Sequence, residues 1–304
     1  MIYTITLNPS IDYVMFTQQM TVGELNRTTR TEKYAGGKGI NVSRLLKTLE
    51  IDSTATGYIG GFTGRFILDE LEKYDIKSQF ITLDRDTRIN VKIKSENETE
   101  INASGPIVNE SQCKQLLDQI NVLTPNDLVV VSGSSAKGHG KTLYKEIAKL
   151  CNEKQIPFII DAEKELATQT FEYKPLLYKP NIHELEAMFD TTFASDEDII
   201  SHARKIIDQG VQTVIVSMGG DGALLITDNE VYKALSPTGE VINTVGAGDS
   251  TVAGFIYARE HQYNHLKTLK YAVASGSATA FSSDLAQKDE VLKLINEIKV
   301  QKLS

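Results

Sequence analysis

The stretch Asn243-Thr244-Val245-Gly246-Ala247-Gly248-Asp249-Ser250 runs directly into the apolar-periodic segment Thr251-Val252-Ala253-Gly254-Phe255. Two glycines and a carboxylate therefore stand at the start of a helix. The first turn of a helix carries unpaired N–H groups and the positive end of the macrodipole, so it draws anions. Gly246 and Gly248 lack a Cβ, which lets a charged group approach the backbone. Asp249 would then sit where a proton can be taken while charge develops on the bound anion. The competing structural reading makes Asp249 an N-cap after a glycine turn.

The chain has 304 residues, enough for one large α/β domain or two smaller ones. Hydrophobic residues at 41% and charged residues at 24% are those of an ordinary globular protein. A net charge of −8 counts against a nucleic-acid binder, which shows a basic footprint. Positive contacts to an anionic ligand must therefore be local. Cys113 and Cys151 have neither metal-site nor CxxC spacing and fit a reduced cytoplasmic setting. The N-terminus reads as a strand rather than a secretion signal, and no apolar run approaches the roughly 20 residues that span a bilayer. A soluble cytoplasmic protein without membrane contact is expected.

Short apolar runs alternate with helical periodicity, the signature of parallel βαβ construction. Buried strands are predicted at 2–7, 54–59, 128–132, 158–161 and 213–217. Helices are predicted at 40–49, 65–74, 110–120, 142–151, 197–209, 251–260, 265–281 and 290–298. Short connections point to one doubly wound α/β core, a single domain over residues 1–304. Segments 12–34 and 88–105 break this rhythm, being polar, β-branched and without helix periodicity. Within the second, Val91-Lys92-Ile93-Lys94 alternates as a strand with one solvated face does. These segments are expected to form a small β-sheet protruding from the core as a lid, whose unpaired edges invite pairing with another copy.

Three further loops carry candidate chemistry. Ala35-Gly36-Gly37-Lys38-Gly39-Ile40-Asn41 precedes a helical pattern. Its glycines let backbone N–H groups converge on a ligand, and Lys38 adds a cation. Asn41 can both donate to and accept from hydroxyls. A tight positive-φ turn would need the glycines alone. Tyr178-Lys179-Pro180-Asn181-Ile182-His183-Glu184 opens a helix, with Asn181 as N-cap and Glu184 completing a capping box. The same pair could hold water around Mg²⁺, which keeps several waters and binds few protein carboxylates. His183 is read as a surface or packing residue. Val216-Ser217-Met218-Gly219-Gly220-Asp221-Gly222 is by default a hairpin turn, and its small residues also suit a nucleotide phosphate.

Ser135-Ala136-Lys137-Gly138-His139-Gly140-Lys141-Thr142 resembles a P-loop, and Phe158-Ile159-Ile160-Asp161 resembles a Walker-B strand. Ser135 stands where the first glycine belongs. That glycine supplies the backbone conformation of a phosphate cradle, so the match is poor.

The loops at 36–41 and 246–249, in this order, resemble the two signatures of the ribokinase-like (PfkB-type) family of carbohydrate kinases. The resemblance spans the chain and takes in the Asn-x-x-Glu stretch at 181–184 and residues 217–222. The opening Thr6-Leu7-Asn8-Pro9-Ser10-Ile11-Asp12 is similar to the phosphosugar-kinase branch, as are Thr87-Arg88-Ile89-Asn90-Val91 and Glu98-Thr99-Glu100-Ile101-Asn102. The resemblance implies a doubly wound, mostly parallel sheet with helices on both faces and a protruding β-lid. It implies transfer of the ATP γ-phosphoryl group to the C6 hydroxyl of fructose 1-phosphate. Tagatose 6-phosphate and fructose 6-phosphate are alternative acceptors within the same fold. Asp249 would be the base, and the N–H groups of Gly246, Ala247 and Gly248 an anion hole. Asp12, Gly36, Gly37, Asn41, Asn90 and Ser134 would face the sugar, with Lys38, Arg27 and Arg88 on its phosphate. Lys179, Asn181, Ser217, Gly219, Gly220, Gly222 and Gly248 would surround ATP. Mg²⁺ would be held through water by Asn181 and Glu184. A homodimer through the lid is implied, with Arg27 a candidate to reach the neighbour's site.

One departure stands out. After Gly133-Ser134 this branch often carries a proline-containing loop, whereas Ser135-Ala136-Lys137-Gly138-His139 has none, which makes Lys137 an alternative phosphate ligand. A sugar-phosphate sensor without turnover is the rival from another class; it would have no need of a carboxylate at 249.

Overall fold

The computed structural model describes residues 1–304. Leu128–Ser132 and Phe158–Asp161 are wholly buried runs of β-branched and apolar residues, as central strands covered on both faces must be. Along them alternate residues serve opposite faces. Val129 and Val131 pack with the helices Glu110–Asn121, Leu143–Glu153 and Asp196–Ile207. Leu128, Val130 and Ile159 pack with Lys38–Thr48, Ala247–Glu260, His265–Ala280 and Lys288–Ile295. The helices that follow the two glycine loops therefore share one face of the sheet.

Across the sheet the strands run Val300–Lys302, Val231–Ala234, Ala223–Ile226, Val214–Ser217, Leu177–Tyr178, Phe158–Asp161, Leu128–Ser132, Ile2–Thr6, Ser53–Gly60 and Lys77–Ser78. Neighbours from Val214–Ser217 to Lys77–Ser78 pair parallel, and the three strands at the other edge pair antiparallel. The chain winds one way from Ile2–Thr6 to Ser53–Gly60 and the other way from Leu128–Ser132 onward. That reversal is a topological switch point, and ligands of open α/β sheets bind outside the carboxyl ends of the strands there.

A separate four-stranded sheet has the order Arg30–Gly36, Ser10–Phe16, Arg88–Lys94, Glu98–Asn102. Its first strand leaves the core just after Thr6, so it stands over the carboxyl edge. The helix expected at 251–260 begins earlier, at Ala247, and the one expected at 40–49 begins at Lys38. Glycine has low helix propensity, so a reading by propensity starts each helix too late. No helix is long and apolar enough to cross a membrane.

Candidate active site

Helix Ala247–Glu260 starts on Gly246 at φ 80°, and helix Lys38–Thr48 on Gly37 at φ 134°; neither has a side-chain cap. Both values favour glycine. With no capping oxygen in place, the first-turn N–H groups stay open to a ligand. Those of Gly246, Gly248 and Asp249 have no protein acceptor, whereas the Ala247 N–H donates to the Thr244 carbonyl at 3.3 Å. The open set thus differs from the expected 246–248 trio.

Asp249 is the third residue of the helix rather than its cap, and it is buried. Asn41 Nδ2 donates to its Oδ2 at 2.8 Å, so the two glycine loops meet at this carboxylate. Burial raises the Asp249 carboxyl to about 6, with Asp161 pushing the same way and Lys38, Asn41 and Lys179 pulling back. A base poised there serves neutral-pH chemistry better than an ordinary carboxylate. Asn41, expected on sugar hydroxyls, is committed through its amide to Asp249; its carbonyl oxygen is free.

Asp161 was not among the expected site residues. It ends its strand on the face that carries both helices and is 1% exposed. Its Oδ1 takes Lys38 Nζ at 3.2 Å and Lys179 Nζ at 3.6 Å. Burial pushes the Asp161 carboxyl up, but Lys179 and Lys38 outweigh it and hold it below the usual range. Asp161 in turn pushes the Lys38 ammonium above the ordinary lysine value. Lys38, expected on a sugar phosphate, is thus paired with Asp161 and acts on the charge of Asp249, with 37% of its side chain still exposed. A Cβ on Gly248 would meet Lys179 Nζ at 3.2 Å, which places this buried lysine under the first turn of the helix. The Walker-B reading of Asp161 fails on its partners: Lys141 is exposed on a short 3-10 turn, His139–Thr142. Lys137, also exposed, lies in a two-residue pairing with Ile107–Val108.

At the opposite end Asp12 lies on the inner face of the small sheet. Its Oδ1 accepts from Ser10 Oγ at 2.8 Å and Asn90 Nδ2 at 3.0 Å, and Asn90 also donates to Ser10 Oγ at 3.1 Å. Asn90 Oδ1 is buried without a partner. A side chain at Gly36 would collide with Ser10 and Asp12. Arg88 donates from Nε to the Asn8 carbonyl at 3.2 Å and from a terminal nitrogen to the Ala103 carbonyl at 2.9 Å. It has no carboxylate partner, and burial lowers its pKa, so it is a half-buried cation suited to an external anion. Asn8 Nδ2 donates to Ser134 Oγ at 3.2 Å, tying this corner to the switch point. A cleft lined by Asp12, Gly36, Asn41, Lys92, Val245 and Leu285 connects the Asp12 corner with the helix starts. Arg27 does not line it; it sits on the exposed connection between the first two strands of the small sheet.

Asn181 and Glu184 form the expected capping box: Glu184 N–H donates to Asn181 Oδ1 and Asn181 N–H to Glu184 Oε2, each at 2.8 Å. Glu184 Oε1 is left without a protein partner. The structure contains no group of three His, Cys, Asp or Glu side chains able to cage a metal. This donor set fits an Mg²⁺ that keeps most of its waters and is shared with ligand phosphates. His183 is exposed. Ser217 lies beside Asn181 in a parallel bridge. The glycine-rich turn is a hairpin between Val214–Ser217 and Ala223–Ile226. Gly219 and Gly220 face open space, but a Cβ on Gly222 would strike the Ala234 carbonyl at 1.9 Å, so Gly222 serves the hairpin. Leu235, Val241 and Ile242, which sequence reasoning did not single out, follow this hairpin and are left 52, 61 and 56% exposed. Apolar residues within an irregular polar stretch were the available signal.

A family model described as pfkB family carbohydrate kinase matches residues 5–290. The 1-phosphofructokinase of Bacillus subtilis (strain 168) is 45% identical over 303 residues, covering 100% of both chains. The D-tagatose-1-phosphate kinase of Bacillus licheniformis is 34% identical over 304 residues, again covering 100% of each. A crystal structure from Staphylococcus aureus matches with a TM-score of 0.90 at 50% identity, covering 100% of this chain and 99% of that one.

Proposed function

Since the chain belongs to the pfkB family of carbohydrate kinases, we propose that this phosphosugar kinase acts on fructose 1-phosphate. The γ-phosphoryl group of ATP passes to the C6 hydroxyl, giving fructose 1,6-bisphosphate and ADP. The observation that carries this reading is the Asn41–Asp249 hydrogen bond. It joins the two glycine loops into one corner where a carboxylate near pH 6 stands below open helix N–H groups.

Asp249 accepts the C6 hydroxyl proton as the new O–P bond forms. Gly246, Gly248 and Asp249 N–H groups, with Lys38 and Lys179 beneath, neutralise charge gathering on the transferred group. Asp12, held by Ser10 and Asn90, fixes sugar hydroxyls. Arg88 takes the 1-phosphate, where its planar fork suits phosphate oxygens. Glu184 and Asn181 would hold an Mg²⁺ through water, and such an ion would supply charge neutralisation to the nucleotide. Gly219, Gly220 and Ser217 flank the nucleotide, with Leu235 and Val241 offering it an apolar surface. The small sheet acts as a lid that excludes water, the competing acceptor.

The relative that acts on tagatose 1-phosphate supports a second reading. Tagatose differs from fructose in configuration at C4, a difference that hydroxyl contacts such as those of Asp12 and Asn90 would read. A coupled ADP-release assay on fructose 1-phosphate, fructose 6-phosphate and both tagatose phosphates tests this. Fructose 1-phosphate should have the highest kcat/KM. A preference of about tenfold or more for another acceptor removes the assignment, and ligand-induced stabilisation without ADP release would make the protein a sensor.

We further propose a cytoplasmic homodimer joined through the lids. Strand alternation turns Tyr13, Met15, Val91 and Ile93 away from the cleft, with Ile89 and Ile101 left 36 and 58% exposed. The edge strand Glu98–Asn102 is exposed throughout. An apolar outer face with an open edge suits a second copy, whose Arg27 would then be free to reach across. The buried, unpaired Cys113 and Cys151 suit a reducing compartment.

A further inference from the structure

Asp161 touches no reacting group in the scheme above, yet at 1% it is even less exposed than Asp249 at 6%. Two ammoniums reach its Oδ1 from different elements: Lys38 from the glycine-loop helix at 3.2 Å and Lys179 from beyond Leu177–Tyr178 at 3.6 Å. Its Oδ2 is buried without a partner, as are the hydroxyls of Thr6 and Ser132. Ser132 is in register with both Thr6 and Asp161 on neighbouring strands, so the three line one row on the same sheet face. Without an anion between them, the two ammoniums, Lys179 buried and Lys38 with 37% of its side chain exposed, would repel and turn apart. The place they share is functional: Lys179 lies under Gly248, and Lys38 acts on the charge of Asp249.

We propose that Asp161 is a positioning residue for phosphoryl transfer, bridging Lys38 and Lys179 and holding both cations under the first turn of helix Ala247–Glu260, where the transferred group gathers charge. The inference rests on phosphoryl transfer at this site and is independent of which sugar accepts it. A transferring phosphoryl group spreads its charge over three oxygens, and cations fixed beforehand need no reorganisation as that charge grows. Asp161 acts through the lysines and contacts neither sugar nor nucleotide. It is also the one anion among the groups acting on Asp249, the others being Lys38, Lys179 and the amide of Asn41. Replacing it with a neutral isostere therefore does two separable things: it loosens the cations, and it relieves Asp249 of a like charge.

The test is Asp161→Asn, assayed with whichever phosphosugar the wild-type enzyme uses best. We expect kcat to fall about 10- to 100-fold with the phosphosugar KM within about threefold, and the acid limb of kcat/KM to move to lower pH. A kcat within about twofold of wild type overturns the proposal, as does a lowered kcat with an unmoved acid limb, which a merely structural role would give. If Asp161→Asn folds poorly, Asp161→Asn/Lys38→Met removes one of the cations left unpaired. Against Lys38→Met alone, the double variant should lose less than about threefold more, and a full multiplicative loss overturns the proposal. Lys38→Met by itself should move the acid limb upward, because it removes a cation that favours the Asp249 carboxylate; an unmoved limb refutes that placement. Failure of the substrate assignment would appear separately, in the wild-type acceptor panel.

Discussion

Burial and the Asp161 charge raise Asp249, and this single residue should govern both rate and stability against pH. Asp249→Asn should lower kcat by about 10²–10⁴-fold, the range for loss of a general base; steady-state kinetics showing less than about tenfold would remove the role. In the wild type, kcat/KM should fall as pH drops below about 6, since the base must be ionised in the free enzyme. Stability runs the other way. The folded pKa lies above the ordinary 3.8, so between that value and about 6 the folded chain binds more protons than the unfolded one. Stability contributed by this group is therefore lost as pH rises through that window. Asp249→Asn should melt above wild type near neutral pH, with the difference vanishing towards about pH 4 in paired thermal scans.

Helix Ile182–Phe189 is capped by the same pair of residues that we propose to hold Mg²⁺ through water. Its capping box was legible because Asn181 and Glu184 are three residues apart, a spacing that decides the bonds locally. Glutamine also completes a capping box, so Glu184→Gln should keep thermal stability while raising the Mg²⁺ concentration needed for half-maximal rate. An unchanged Mg²⁺ requirement would leave Glu184 as a cap only. Asn181→Ala, which removes the cap, should cost about 1 kcal/mol of stability in denaturant titration. The start of Ala247–Glu260 was less legible than this cap. Its first glycine is set by packing as well as by the turn, since a Cβ on Gly246 would meet Leu285 Cδ2 at 2.6 Å. Propensity carries no trace of such a neighbour.

At the scale of the whole molecule, the proposed mechanism puts the reacting corner on the core and the sugar's other end on the lid. Arg88→Ala should raise the phosphosugar KM by about tenfold or more and leave the KM for ATP nearly unchanged. An unchanged phosphosugar KM would place the phosphate elsewhere. Ile101, 58% exposed on the outward lid face, tests assembly. Ile101→Glu should shift a dimer towards monomer in sedimentation velocity at micromolar concentration, and a wild-type monomer there would refute the lid dimer outright. Should the dimer form, Arg27→Ala would raise the phosphosugar KM only where the neighbouring subunit completes the site.

From the sequence alone came the βαβ alternation, the two glycine-started helices, the capping box and the protruding small sheet. The helices and the capping box depend on residues within a few positions of one another, where period and capping act, whereas the small sheet pairs Ser10–Phe16 with Arg88–Lys94 and showed in the sequence only as the β pattern of its segments. The tertiary structure decided what those pieces meet. Asn41 finds Asp249 across 208 positions, and Lys38 finds Asp161 across 123. Asp161 was read only as the end of a buried strand resembling Walker B, because nothing in Phe158-Ile159-Ile160-Asp161 records the lysines above it. Lys38 likewise could point at a ligand or at the core. The buried anion that parallel pairing placed beneath it fixed the ammonium at 3.2 Å while leaving 37% of the side chain exposed, since an enclosed carboxylate needs a cation close by.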